Sequence, residues 1–122
     1  KHDLTSCERL ALAADENVIP KIRDLLVWLQ DMNWPVALPV SQRLSCLNTE
    51  LVAPLKEILE GNDDIWKLSI VSFIGETKPQ IQKELAGELE RLSRAPTEGE
   101  KREEVHLIAE ELLESMKDIT SH

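Results

Sequence analysis

The sequence predicts an all-α protein, a stack of antiparallel helical hairpins with about seven helices. Three observations carry this reading. Strand signals are poor: 122 residues hold no Tyr and one Phe, and apolar and polar residues nowhere alternate for long. Apolar residues recur every three or four positions through most of the chain. A helix–turn–helix plan also occurs twice. Residues 25–39 (LLVWLQDMNWPVALP) end one helix, turn through Asp31, Met32 and Asn33, and start another at a proline. Residues 55–70 (LKEILEGNDDIWKLSI) repeat the plan, so that Leu25 aligns with Leu55, Trp28 with Ile58, Leu29 with Leu59, Val36 with Trp66, Val40 with Ile70 and Leu44 with Ile74. Hairpins repeat in this way because one alone cannot bury its apolar face.

The elements follow in order. A first helix is expected over residues 4–13, capped by Asp3 or Thr5. A second spans 18–30, with Asn17 as cap and Pro20 in the first turn, where its missing N–H matters least. Val18, Ile22, Leu25 and Leu29 form its stripe. Ile19, Leu26 and Trp28 broaden that stripe and predict cover on two sides. The third helix begins at Pro35, because Trp34, preceding a proline, is pushed toward extended geometry. Val36, Val40, Leu44 and Leu47 point inward there, and Pro39 falls at the end of the first turn.

The fourth helix, 50–60, carries Leu51, Leu55, Ile58 and Leu59 and stops at Gly61, a good residue for a left-handed C-terminus. The fifth, 64–75, is apolar all round and belongs at the centre. The sixth, 79–93, turns Ile81, Leu85, Leu89 and Leu92 inward before Ala95-Pro96 breaks it. Thr97 and Glu100 then form a capping box. The seventh runs from there to about residue 118. It faces Val105, Ile108, Leu112, Met116 and Ile119 inward and Glu103, Glu104, Glu110, Glu111 and Glu114 outward, as a terminal element requires.

Residues 1–122 are read as a single domain. Apolar residues at 42% and charged residues at 30% make a globular rather than a disordered composition. No apolar run reaches the roughly 18 residues that cross a bilayer, and the expected location is cytoplasmic. The net charge of −9 is spread over both halves and argues against nucleic acid, which selects basic tracks. Cys7 and Cys46 lack zinc or redox spacing and read as buried thiols.

The paired hairpins resemble HEAT-type repeats of the HEAT/armadillo class, which implies an alpha-alpha superhelix. In that family an acidic turn joins the helices and a valine–arginine pair opens the second. Asp63, Asp64 and Trp66-Lys67 stand there in one unit, and Asp31, Asn33 and Val36-Ala37 in the other. The whole chain also resembles an uncharacterised bacterial domain-of-unknown-function family, through WLQDMNWPVA (28–37), DDIWK (63–67) and APTEGEKREEV (95–105). That resemblance implies a fold and no activity.

Nothing in the chain reads as catalytic machinery. His106, with Glu103 at i−3 and Glu110 at i+4, reads as an outward histidine in surface ion pairs. No phosphate loop, nucleophile elbow or H-E-x-x-H occurs. No cofactor and no metal are expected. The functional expectation is a non-enzymatic protein-binding module, in the manner of a small inhibitor or immunity-type protein, with a basic protein partner. Its binding edge is the row of turns carrying Asp31, Asn33, Trp34, Asp63, Asp64 and Lys67, where Trp34 reads either as a hydrophobic lid closing the end of the hairpin or, for the binding function, as an exposed aromatic anchor. The alternative is a small-ligand protein or enzyme with a pocket between helices.

Overall fold

The computed structural model describes residues 10–30, residue 35 and residues 37–120, with side chains through residue 117. Among these the protein is all-α, with nine α-helices and no strand. Residues 10–12 are helical. The rest of the expected first helix lies outside the described residues, as do its caps Asp3 and Thr5, and Cys7.

The expected second helix is instead a composite. It starts early as α1 (Asp15–Val18), with Ala14 rather than Asn17 at the cap position. It tightens into a 3₁₀ turn at Ile19–Lys21, where Pro20 sits, continues as α2 (Ile22–Leu26) and tightens again at Val27–Leu29. The second tightening changes which side chains face inward. At three residues per turn Leu26 and Leu29 share the buried face, and Trp28 turns outward to 41% exposure. Ile19 is 37% exposed, so this segment is covered on one side only.

Helix α3 (Ala37–Leu44) begins two residues after Pro35 and includes Pro39 in its first turn. Val40, Leu44 and Leu47 are buried as expected, Leu47 beyond the helix end, while Val36 lies outside the described residues. Arg43 ties this helix backward. Its Nε donates to the Leu10 carbonyl at 3.2 Å, and its Nη2 donates to the Ala13 carbonyl at 2.9 Å and pairs with Asp15. A cation thereby meets the carbonyls that end residues 10–12. Cys46 is exposed, with Sγ toward the Gln42 carbonyl, because it follows the last turn of α3 rather than lying on its inner stripe.

A 3₁₀ turn at Thr49–Leu51 leads into α4 (Val52–Leu59), which pairs with α5 (Asp64–Ile74) across residues 60–63. Such a short connection between contacting helices makes a hairpin. Gly61 is not left-handed: no described glycine has positive φ. The Glu60 N–H instead bonds the Lys56 carbonyl, and the Gly61 N–H bonds that of Ile58.

Helix α5 is central, touching α4, the Val27–Leu29 turn and the C-terminal helix. Ile70, Val71, Phe73 and Ile74 are buried. One strip nonetheless meets solvent, with Ile65 at 58% exposure and Ser72 exposed seven residues on. The carbonyls at its end are satisfied first by the backbone, the Gly75, Glu76 and Thr77 N–H groups bonding the Val71, Phe73 and Ile74 oxygens. Gln82 Nε2 adds to this from the next helix, 3.1 Å from the Ile74 and Thr77 oxygens and 3.3 Å from that of Gly75.

The expected sixth helix is split at Leu85 into α6 (Pro79–Glu84) and α7 (Ala86–Arg94), and the Leu85 N–H is shared between the Ile81 and Gln82 carbonyls. The four inward residues expected there are all fully buried. The expected last helix is also split, into α8 (Glu98–Arg102) and α9 (Val105–Thr120). The break is Glu104, held at φ 63°, a left-handed conformation that costs a non-glycine residue about 1 kcal/mol. Val105, Ala109 and Leu112 of α9 are buried against α7 and α5. Glu104, Glu110, Glu111 and Glu114 are exposed as expected.

Of the six aligned pairs, Leu29 with Leu59, Val40 with Ile70 and Leu44 with Ile74 are buried in both members, whereas Leu25 is half-buried against a buried Leu55, Trp28 is exposed against a half-buried Ile58, and Val36 lies outside the described residues. The buried apolar residues form one cluster running from Val18 to Leu112. Among the described residues no helix is long and apolar enough to cross a membrane.

Candidate functional site

The six residues expected on the binding edge separate into three groups. Asp31, Asn33 and Trp34 lie outside the described residues. Asp63 is exposed at the turn and caps α5, its Oδ1 accepting the Trp66 N–H at 3.0 Å. Asp64 and Lys67 turn into the protein. The Lys67 side chain is only 4% exposed, so it is not a rim residue. Its ammonium lies 3.2 Å from Asp64 Oδ1 and 2.7 Å from Glu100 Oε2.

Glu100 organises this interior cluster. Its carboxylate is fully buried and also receives Arg91, with Nη1 3.1 Å from Oε1 and Nη2 2.9 Å from Oε2. The expected capping box is present: Thr97 Oγ1 accepts the Glu100 N–H at 3.2 Å, and the Thr97 N–H donates to Glu100 Oε1 at 2.8 Å. Burial pushes the Glu100 carboxyl up. The hydrogen bonds from Arg91, Lys67 and the Thr97 backbone, with the Lys67 charge, outweigh burial and hold it at about 2. Gly99 allows the approach of α8 to α5, since a Cβ there would stand 2.1 Å from Asp64 Oδ2.

The segments DDIWK and APTEGEKREEV, far apart in sequence, therefore meet as one ion-paired clasp. Its charged groups pair with one another and tie α7 and α8 to α5. Thr97→Ala removes the side-chain half of the box and is expected to cost about 0.5–2 kcal/mol, measured as a shift in denaturant midpoint. An unchanged midpoint would mean that Arg91, Lys67 and the backbone N–H of residue 97 position Glu100 without the Thr97 hydroxyl.

A cleft of about 310 Å³ opens beside the same N-terminal end of α5, between α2 and the α4–α5 hairpin. Leu26, Pro54, Ile58 and Trp66 supply its apolar walls. The Trp66 indole N–H is spent on the Leu26 carbonyl at 3.2 Å, which fixes the ring. Arg23 and Glu57 stand at the lip as a two-pronged ion pair of 3.0 and 2.6 Å. Their hydrogen bond raises the Arg23 guanidinium and lowers the Glu57 carboxyl. Asp63 and Asn62 complete the lip.

Sequence reasoning missed Arg23, Glu57, Arg91 and the burial of Glu100. Only Glu100 carried a signal, through its place in the capping box. His106 is half-buried, not an outward ion-pairing residue. Its Nδ1 is enclosed without a hydrogen-bond partner among the described residues, because its position is one turn before the buried Ala109. No group of three or more metal-ligating side chains lies together among the described residues.

Fold and site thus define an all-α protein with a buried ionic clasp and an apolar cleft at a hairpin turn. The chain belongs to the family described as "Domain of unknown function (DUF5071)", whose model matches residues 1–113. No curated protein matches the chain.

Proposed function

We propose that this protein is a HEAT-like, non-enzymatic protein-binding module whose turn edge holds a protein partner, with a small inhibitor or immunity-type role as one form of that activity. The observation that carries the reading is the cleft: apolar walls, a charged lip, and a position between one hairpin and the next. Repeat proteins present binding surfaces along such edges. By the repeat in the sequence, Asp31, Asn33 and Trp34 hold the turn equivalent to the one that carries Asp63. They are proposed as part of the same edge, whereas Lys67 is withdrawn from it and Asp64 contributes mainly inward. A small-ligand or enzymatic pocket has weaker support, because Arg23 and Glu57 at the lip are paired with each other and Asp63 caps α5.

The test is selection of ligands from a displayed random-peptide library with the purified full chain, followed by affinity measurement on variants. Trp34→Ala should weaken selected ligands by at least about 2 kcal/mol, as at an aromatic hot spot. Asp63→Asn, which keeps a capping side chain, should mainly slow association and flatten its salt dependence. Failure to select any ligand, or ligands indifferent to both changes, would remove the binding-module reading.

A further inference from the structure

We infer that the cleft between α2 and the α4–α5 hairpin accepts an apolar side chain flanked by Lys or Arg, on an exposed peptide segment of the partner. This rests on the protein-binding reading and names the partner chemistry.

The walls argue for the apolar part. Pro54, Ile58 and Trp66 present carbon surface over a fully buried Leu26. The indole N–H already has its acceptor, so the ring asks for no polar partner. The volume of about 310 Å³ is at the lower end for small-molecule pockets and gives room to one large side chain. The same segment carries two further exposed apolar side chains outside the cleft lining, Ile19 at 37% and Val27 at 44%, and the proposed occupant is accordingly a peptide segment.

The lip argues for the basic part. Its charges are Arg23, Glu57 and Asp63, one cation against two carboxylates, on a chain of net charge −9. Asp63 spends Oδ1 on the helix cap and keeps its second oxygen for a ligand. The Arg23–Glu57 pair has both side chains more than half exposed. Such pairs are weak in water and exchange readily, so an incoming guanidinium or ammonium can share Glu57 with Arg23. An acidic segment would meet repulsion from both carboxylates and from the net field of the chain.

The experiment is a titration of the ¹⁵N-labelled full chain, read at the Trp66 indole resonance and assigned with Trp66→Phe. The probes are the blocked tripeptides acetyl-Lys-Leu-Arg-amide, acetyl-Glu-Leu-Glu-amide and acetyl-Lys-Gly-Arg-amide, with isopentylguanidinium as a small cation. The Leu-containing basic tripeptide should shift the resonance saturably, at least about tenfold more tightly than any other probe. Glu57→Gln with Asp63→Asn should abolish that preference over the acidic tripeptide without moving the thermal midpoint.

Equal binding of the acidic tripeptide, or no shift with any probe, overturns the inference. Equal binding of isopentylguanidinium makes the cleft a small-cation site and also overturns it. A shift on diluting the protein alone would assign the cleft to a second copy, with the same consequence. Library ligands that are acidic or neutral, yet sensitive to Trp34→Ala, would sink this inference and leave the binding-module reading standing.

Discussion

Glu100→Gln is expected to destabilise the protein by about 3–5 kcal/mol, because it leaves the buried Lys67 ammonium without its principal counter-charge. The lower end applies, since Asp64 Oδ1 remains 3.2 Å from the ammonium. A second change separates charge from packing. Adding Lys67→Met to Glu100→Gln removes the orphaned cation and should recover part of the loss, leaving Arg91, which is 39% exposed in its side chain, to turn to solvent. Denaturant midpoints of the two variants and the parent measure this. If Glu100→Gln costs under about 1 kcal/mol, the clasp is no stronger than a surface pair.

The same cluster sets a pH dependence. The Glu100 carboxyl is held at about 2 in the folded protein against an ordinary 4.5, so the unfolded chain binds its proton more readily. The stabilisation is therefore complete above about pH 4.5 and is lost as pH falls toward 2. The Gln variant should show a correspondingly flatter stability profile over that interval.

The clasp also shows where the sequence stopped being informative. Thr97 and Glu100 announced a helix start by spacing alone, because a capping box is local. That the same carboxylate is buried depends on Lys67 and Arg91 arriving from other elements, which no local pattern encodes. Helix breaks were hidden for a related reason. The turn at Glu104 uses a left-handed residue that is not glycine, and Leu85 breaks its helix without Gly or Pro at the break itself. Inward stripes fared better: Ile81, Leu85, Leu89 and Leu92 were legible because burial follows period whether or not the helix is continuous. Trp28 was misplaced because its segment tightens to three residues per turn, and a period of 3.6 no longer applies. The apolar half of the cleft was partly legible, since Trp66 and Ile58 lie on inner patterns. The Arg23–Glu57 lip was not, because exposed charges on different helices carry no spacing signal.

Phe73→Ala should cost about 3–5 kcal/mol, the range for emptying a large aromatic site in a packed core. Phe73 is fully buried on α5, and α5 is held from three directions by α4, the Val27–Leu29 turn and α9. Emptying a fully buried site in the single apolar cluster loses the transfer energy of the ring and leaves a cavity that relaxes only in part. The control lies on the same helix. Ile65 is 58% exposed, and Ile65→Ala should change stability by less than about 0.5 kcal/mol. The sequence reads both residues as members of a helix apolar on every face, and on that pattern alone both would be costly to truncate. Denaturant midpoints at a common m-value decide between the two readings. Equal losses at both positions would mean that α5 is enclosed all round and that its exposed strip is covered in solution. A loss under about 1 kcal/mol at Phe73 would remove α5 from the centre of the fold.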